Sequence, residues 1–151
     1  MEKVSLLLEE SVQYEMDAYD IYSVFMSTLQ KDADFWEKLA NEELDHAGLL
    51  KKYLSFSLKE NEVSDIISVE DVGVIKDARI KIRQYLKEFR NNPSPYTAYD
   101  IAIDIENSIV ENSYQKFMDS IPDTELKQIF HLLNGMEKDH INRINDYFRY
   151  R

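Results

Sequence analysis

This chain predicts an all-α fold: an antiparallel four-helix bundle with a long, partly helical crossover between the second and third helices. Three observations carry that reading. Apolar residues recur at spacings of three and four through four long segments, the mark of amphipathic helices. Only three glycines and three prolines occur in 151 residues, too few for the many turns of a β protein. A shift of 94 residues also lays Trp36, Leu39, Glu43, His46, Leu50, Tyr53 and Leu54 on Phe130, Leu133, Glu137, His140, Ile144, Tyr147 and Phe148. Two helical hairpins thus share one pattern.

The first stripe runs through Val4, Leu8, Val12, Glu15, Tyr19, Tyr22, Met26 and Leu29. The second, through Trp36, Leu39, Glu43, His46, Leu50 and Tyr53, is opened by Asp34 and Glu37, which read as a capping box. The stretch from about 60 to 94 starts polar and β-branched and passes Gly73. It reads as a crossover carrying its own helix from about Lys76 to Arg90, with Ile80, Ile82, Tyr85, Leu86 and Phe89. Ser94 and Pro95 supply the N-cap and first-turn proline of the third helix, whose stripe is Tyr99, Ala102, Glu106, Ile109, Ser113 and Phe117. Pro122 and Asp123 open the fourth, through Leu126, Phe130, Leu133, Glu137, His140, Ile144 and Tyr147. A single domain over 1–151 is expected, with hairpins at about 3–59 and 95–150.

Composition removes several function classes. A formal charge of −11 opposes nucleic acid or an anionic membrane as partner, since both demand a basic surface. No cysteine is present, which excludes disulfides, iron–sulfur clusters and any built-in rubredoxin-type module. Leu6-Leu7-Leu8 is too short for a signal sequence and runs into Glu9-Glu10, and no apolar run approaches a membrane span. A cytoplasmic protein is the expectation.

The stripes contain an anomaly that points to chemistry. Glu15, Glu43, His46, Glu106, Glu137 and His140 all occupy seam positions that should be apolar. Four ionised carboxylates in a core repel one another and cost several kcal/mol apiece, and the stripes hold no lysine or arginine to offset them. Two divalent metal ions would. Glutamate and histidine three apart, as in Glu43/His46 and Glu137/His140, share a helix face and can meet one ion. The levels agree. Glu15 and the Glu43/His46 pair are equidistant from Gln30–Lys31, and Glu106 and the Glu137/His140 pair from Pro122. Glu111 in place of Glu106 would put the second bend inside the fourth helix, so Glu106 is the expected ligand. Tyr22, Tyr53 and Tyr147 read as bundle packing with a polar tip, with Tyr22 also placed to be an accessory group. His131 lies off the seam and reads as a surface residue.

Glu15-x-x-Ala18-x-x-x-Tyr22, Glu42-Glu43-Leu44-Asp45-His46-Ala47 and Ala102-Ile103-x-x-Glu106 resemble the ferritin-like di-iron carboxylate superfamily, most closely its rubrerythrin-like branch. The resemblance spans nearly the whole chain. It implies that Glu15, Glu43 and His46 serve mainly one iron and Glu106, Glu137 and His140 mainly the other, with Glu43 and Glu137 as bridges. It further implies two iron ions as cofactor, in ligands that also suit manganese or zinc. The implied activity is reduction of hydrogen peroxide or dioxygen with an external donor such as a rubredoxin. That branch often has a glutamate where this chain has Ile109 and a tyrosine where it has Ser113. Ferroxidase or iron-handling activity and a non-enzymatic metal-binding bundle share the same motifs. With aromatic Tyr147, Phe148 and Tyr150 near its end, the chain is expected to form a homodimer.

Overall fold

The computed structural model describes residues 2–54, 69–108 and 125–151. Its helices are α1 (Glu2–Thr28), α2 (Ala33–Leu54), α3 (Val69–Asn91), α4 (Pro95–Glu106) and α5 (Glu125–Tyr150). The fold is all-α and ferritin-like, as the sequence predicts, with α1, α2, α4 and α5 as the bundle and α3 as the crossover helix. Helix α1 packs along α2 on one side and α3 on another, while α5 packs on α4 and α2. The Pro122-Asp123 start and the stripe beyond Ser108 lie outside the described residues.

The first bend falls where the spacing places it, at a short 3-10 turn over Gln30–Asp32. That turn corrects the expected capping box. The Asp32 amide donates to the Leu29 carbonyl at 2.9 Å, and the chain runs directly into α2 at Ala33. Asp34 therefore lies inside the first helical turn, where its charge favours the helix dipole without capping. The predicted start of α4 is present: Ser94 is extended, and its hydroxyl accepts from the Thr97 amide at 3.1 Å ahead of Pro95.

The crossover helix begins at Val69, one to two turns before the expected Lys76. Val72 and Ile75 are buried together with Ala78, Ile82 and Phe89, a stripe at helical spacing. Burying a Val or Ile side chain contributes about 1.5–3 kcal/mol. Gly73 inside a helix costs about 1 kcal/mol, so burial wins and the glycine does not break the helix. Two contacts pin α3 to α1. Arg79 donates to Asp17 at 2.8 Å and Glu10 at 3.1 Å, and Phe89 meets Phe25 edge-on at 4.6 Å.

The near-repeat is physical. Leu39 and Leu133, His46 and His140, and Leu50 and Ile144 are pairwise buried in the two hairpins. The chain-end aromatics differ from the sequence reading. Tyr147 stacks on Phe35 at 4.1 Å, and Phe148 packs on Tyr99 and Trp36. Of the three, only Tyr150 is exposed, so the aromatic surface that suggested a homodimer is mostly spent within the chain. His131 is exposed, as expected. Among the described residues no helix is long and apolar enough to cross a membrane.

Candidate metal centre

Five of the six seam residues converge. Glu15 of α1, Glu43 and His46 of α2, Glu106 of α4 and His140 of α5 are all buried to 2% exposure or less. They form two donor groups, Glu15–Glu43–His46 and Glu43–Glu106–His140, in each of which one atom per residue lies within 4.8 Å of the others. Glu43 belongs to both. Its two oxygens divide between the histidines: Oε2 lies 3.3 Å from His46 Nδ1, and Oε1 lies 3.1 Å from His140 Nδ1. The outer carboxylates are at 3.8 Å (Glu15 to His46 Nδ1) and 3.3 Å (Glu106 to His140 Nδ1). The imidazole rings lie nearly parallel, 5.3 Å apart. Residue Glu137 lies on α5, one turn before His140, but its side chain is outside the described residues. Glu111 and Tyr53 are outside them too.

The chain matches the rubrerythrin family over residues 7–147, nearly its whole length. It belongs to the rubrerythrin family. Comparison with curated proteins and with solved structures gave no match. The family is one of di-iron carboxylate proteins, and the donor set of this rubrerythrin-family chain fits a metal pair. Three buried carboxylates and two imidazoles, with no thiolate, form two groups that share one bridging candidate.

Electrostatics give the same answer. Burial pushes the Glu43 carboxyl well above its ordinary range, and the charges of Glu15 and Glu106 push it further. Burial disfavours a charged His46, but the hydrogen bonds it donates to Glu15 and Glu43 outweigh it and lift the imidazole to about 10. Glu15 is lowered because hydrogen bonds to Glu43 and His46 overcome its burial. The carboxylates crowd one another and draw positive charge onto His46, which is the demand that cations in the cleft would meet.

Residues around the ligands fix their orientation. His140 Nε2 faces Glu42 at 3.0 Å, and Arg143 donates to the Glu42 carboxylate at 2.7 and 2.9 Å. With Nε2 directed at Glu42, His140 turns Nδ1 toward the Glu43 and Glu106 carboxylates in the cleft, so Glu42 orients the ring. Tyr22, the expected accessory group, is fully buried and donates to Glu106 Oε1 at 2.6 Å. Helix α4 ends at Glu106, and the part of the expected stripe from Ile109 to Phe117 lies outside the described residues. Asn107 caps the helix, and Tyr14 Oη bonds the Ile105 carbonyl at 3.0 Å and Ser108 at 2.8 Å.

Sequence reasoning missed Glu42 and Arg143. The available signal was a departure from the repeat, because the positions 94 residues away hold Met136 and Leu49. Loss of such an outer carboxylate typically weakens metal binding about 10–100-fold. Glu42→Ala should do so here, measured by competition against a chelator, while leaving the metal-free melting temperature nearly unchanged. Affinity equal to wild type would show that Glu42 does not orient His140.

Proposed function

We propose that this protein reduces hydrogen peroxide to water at a pair of iron ions, with electrons from a separate soluble donor such as a rubredoxin. The observation that carries the reading is the Glu43 carboxylate, which belongs to both donor groups and holds them close enough to act on one oxidant. Two adjacent ferrous ions supply the two electrons that cleave an O–O bond without releasing a one-electron product.

The chain's own residues do the rest. Glu15 and Glu106 complete the two donor groups, and the fully buried Tyr22 covers Glu106. Tyr22 keeps a phenolic proton at Glu106 Oε1. Glu42 is partly exposed and links His140 Nε2 to the solvent side, with Arg143 holding it in place. A separate donor is supported by the lack of any cysteine in this sequence to ligate a rubredoxin-type iron.

Anaerobic loading with ferrous iron, followed by stopped-flow mixing with peroxide or dioxygen, tests the reading. Oxidation should be far faster with peroxide, and turnover should need an added reductant. Should dioxygen react at least as fast, with iron consumed beyond the bound equivalents, the activity is iron oxidation instead. A ferrous spectrum unchanged by both oxidants would leave a metal-binding bundle without this chemistry.

A further inference from the structure

A continuous run of aromatic rings leads away from the metal cleft. It begins at Tyr22, whose hydroxyl bonds Glu106 at 2.6 Å. The Tyr22 ring lies 5.6 Å from Trp36, the single tryptophan of the chain. Trp36 meets Phe35 edge-on at 5.0 Å, and Phe35 stacks on Tyr147 at 4.1 Å and 14°. Phe148 offers a parallel bridge, 6.1 Å from Trp36 and 5.3 Å from Tyr147. Tyr147 is half-buried at the far end of the bundle and donates its hydroxyl hydrogen to Asp32.

Packing alone explains why these rings touch. It does not explain their polar ends, which divide in a way that gives the run a direction. Trp36 is fully buried, and its indole N–H has no acceptor among the described residues. An oxidised Trp36 could not shed its proton, so it would remain a strong oxidant and a poor place for charge to rest. Tyr147 is the opposite. Its proton already has an acceptor in Asp32, a carboxylate that Arg151 also engages at 2.8 and 3.1 Å. Burial raises the Asp32 carboxyl, but the hydrogen bonds from Arg151 and Tyr147 outweigh it and keep the group ionised, so its oxygen can receive the proton an oxidised Tyr147 sheds along their hydrogen bond. Tyr99 also reaches the cluster, through Phe148, but its hydroxyl bonds Asn145, an amide that is no base.

We propose that Tyr22, Trp36 and Tyr147 form a one-electron relay that carries stray oxidising equivalents from the metal cleft to the protein surface. The inference rests on the oxidant chemistry read above for the cleft. Each step balances. Tyr22 gives one electron to the cleft while its phenolic proton passes to Glu106 Oε1. The proton returns as an electron arrives from Trp36. Trp36 is refilled from Tyr147, whose phenolic proton moves to Asp32. A small soluble thiolate then gives one electron to the Tyr147 radical, becoming a thiyl radical, while the proton held by Asp32 returns to the phenolic oxygen. The device discharges an equivalent that would otherwise damage the ligands.

The test uses zinc-loaded protein, which keeps the metal-bound fold and has no redox chemistry at the metal. Pulse radiolysis with azidyl radical oxidises the tryptophan, and transient absorption follows its radical. In the wild type the tryptophan signal should decay at a rate independent of protein concentration, with a matching rise of tyrosyl radical. Tyr147→Phe keeps the stack on Phe35 and should lose most of that rise. The Tyr22→Phe, Tyr147→Phe double variant should lose it all, with far-UV circular dichroism confirming the fold. A wild-type signal that decays only by encounters between molecules, or a double variant that retains the wild-type rise, overturns the relay. Neither outcome depends on whether the iron-loaded protein reacts with peroxide, so the two readings fail separately.

Discussion

Replacing Glu43 with alanine should empty both halves of the metal centre at once. After anaerobic reconstitution the wild type should hold about two ions per chain, as two-metal carboxylate bundles do. Glu15→Ala touches one donor group and should leave roughly one of those ions. Glu43→Ala removes the residue common to both groups and should leave almost none. Elemental analysis against protein concentration decides. If Glu43→Ala kept as much metal as Glu15→Ala, Glu43 would not be shared and the geometry described here would be wrong. Uptake should also be proton-linked. His46 and Glu43 both bind protons more tightly than usual and must be deprotonated to act as ligands, so occupancy at fixed metal should fall as pH falls. For the metal-free fold the sign is set by His46, whose pKa rises from 6.5 to about 10. Its stabilising contribution is full below the unfolded value and is lost as pH climbs through the folded one.

Metal should raise the melting temperature by a margin large for a protein of this size. An ion that binds only the native state at a free concentration 1,000 times its dissociation constant adds about 4 kcal/mol. At about 2–4 °C per kcal/mol for such a chain, the midpoint should move up by about 8–16 °C. Ferrous ion under anaerobic conditions and manganous ion are the probes. The His46→Ala, His140→Ala double variant removes one imidazole from each donor group, and its midpoint should not respond to either ion. A wild type that melts at the same temperature with and without metal would mean that the pocket binds protons and nothing else.

The parts of this molecule legible from sequence are those written within single helices. Glu15, Glu43, His46, Glu106 and His140 could be found because each interrupts an apolar stripe, and because charge at a seam position is costly enough to need a reason. Ser94 and Pro95 were legible for the same local cause. Failures came where a long-range contact overrides a local preference. Gly73 and its β-branched neighbours look like a helix boundary until Val72 and Ile75 are seen packed in the core. Asp34 looks like a cap until the turn before it closes on Leu29. Glu42 reaches His140 from another helix, and Tyr147 finds Asp32 across 115 positions of chain. No spacing rule within one helix encodes either pair. Tyr147 and Phe148 misled in the opposite direction, as aromatics that looked free for a partner but are occupied by Phe35, Trp36 and Tyr99.

The repeat that builds the bundle is broken at one place that matters. His140 is backed by Glu42 and Arg143, whereas the equivalent positions around His46 hold Met136 and Leu49, which can form no such pair. A fold assembled from two like halves has thus acquired a left and a right. If the Glu42–Arg143 backing makes the His140 cradle the tighter of the two, the cradles should fill in sequence, and scarce metal should yield chains carrying a single ion. A lone ferrous ion has one electron to surrender in becoming ferric, and peroxide needs two to become water. Under the proposed peroxide chemistry with iron, a half-filled chain would be a different reagent, one that splits peroxide into a hydroxyl radical, and only the chain with both ions would be safe.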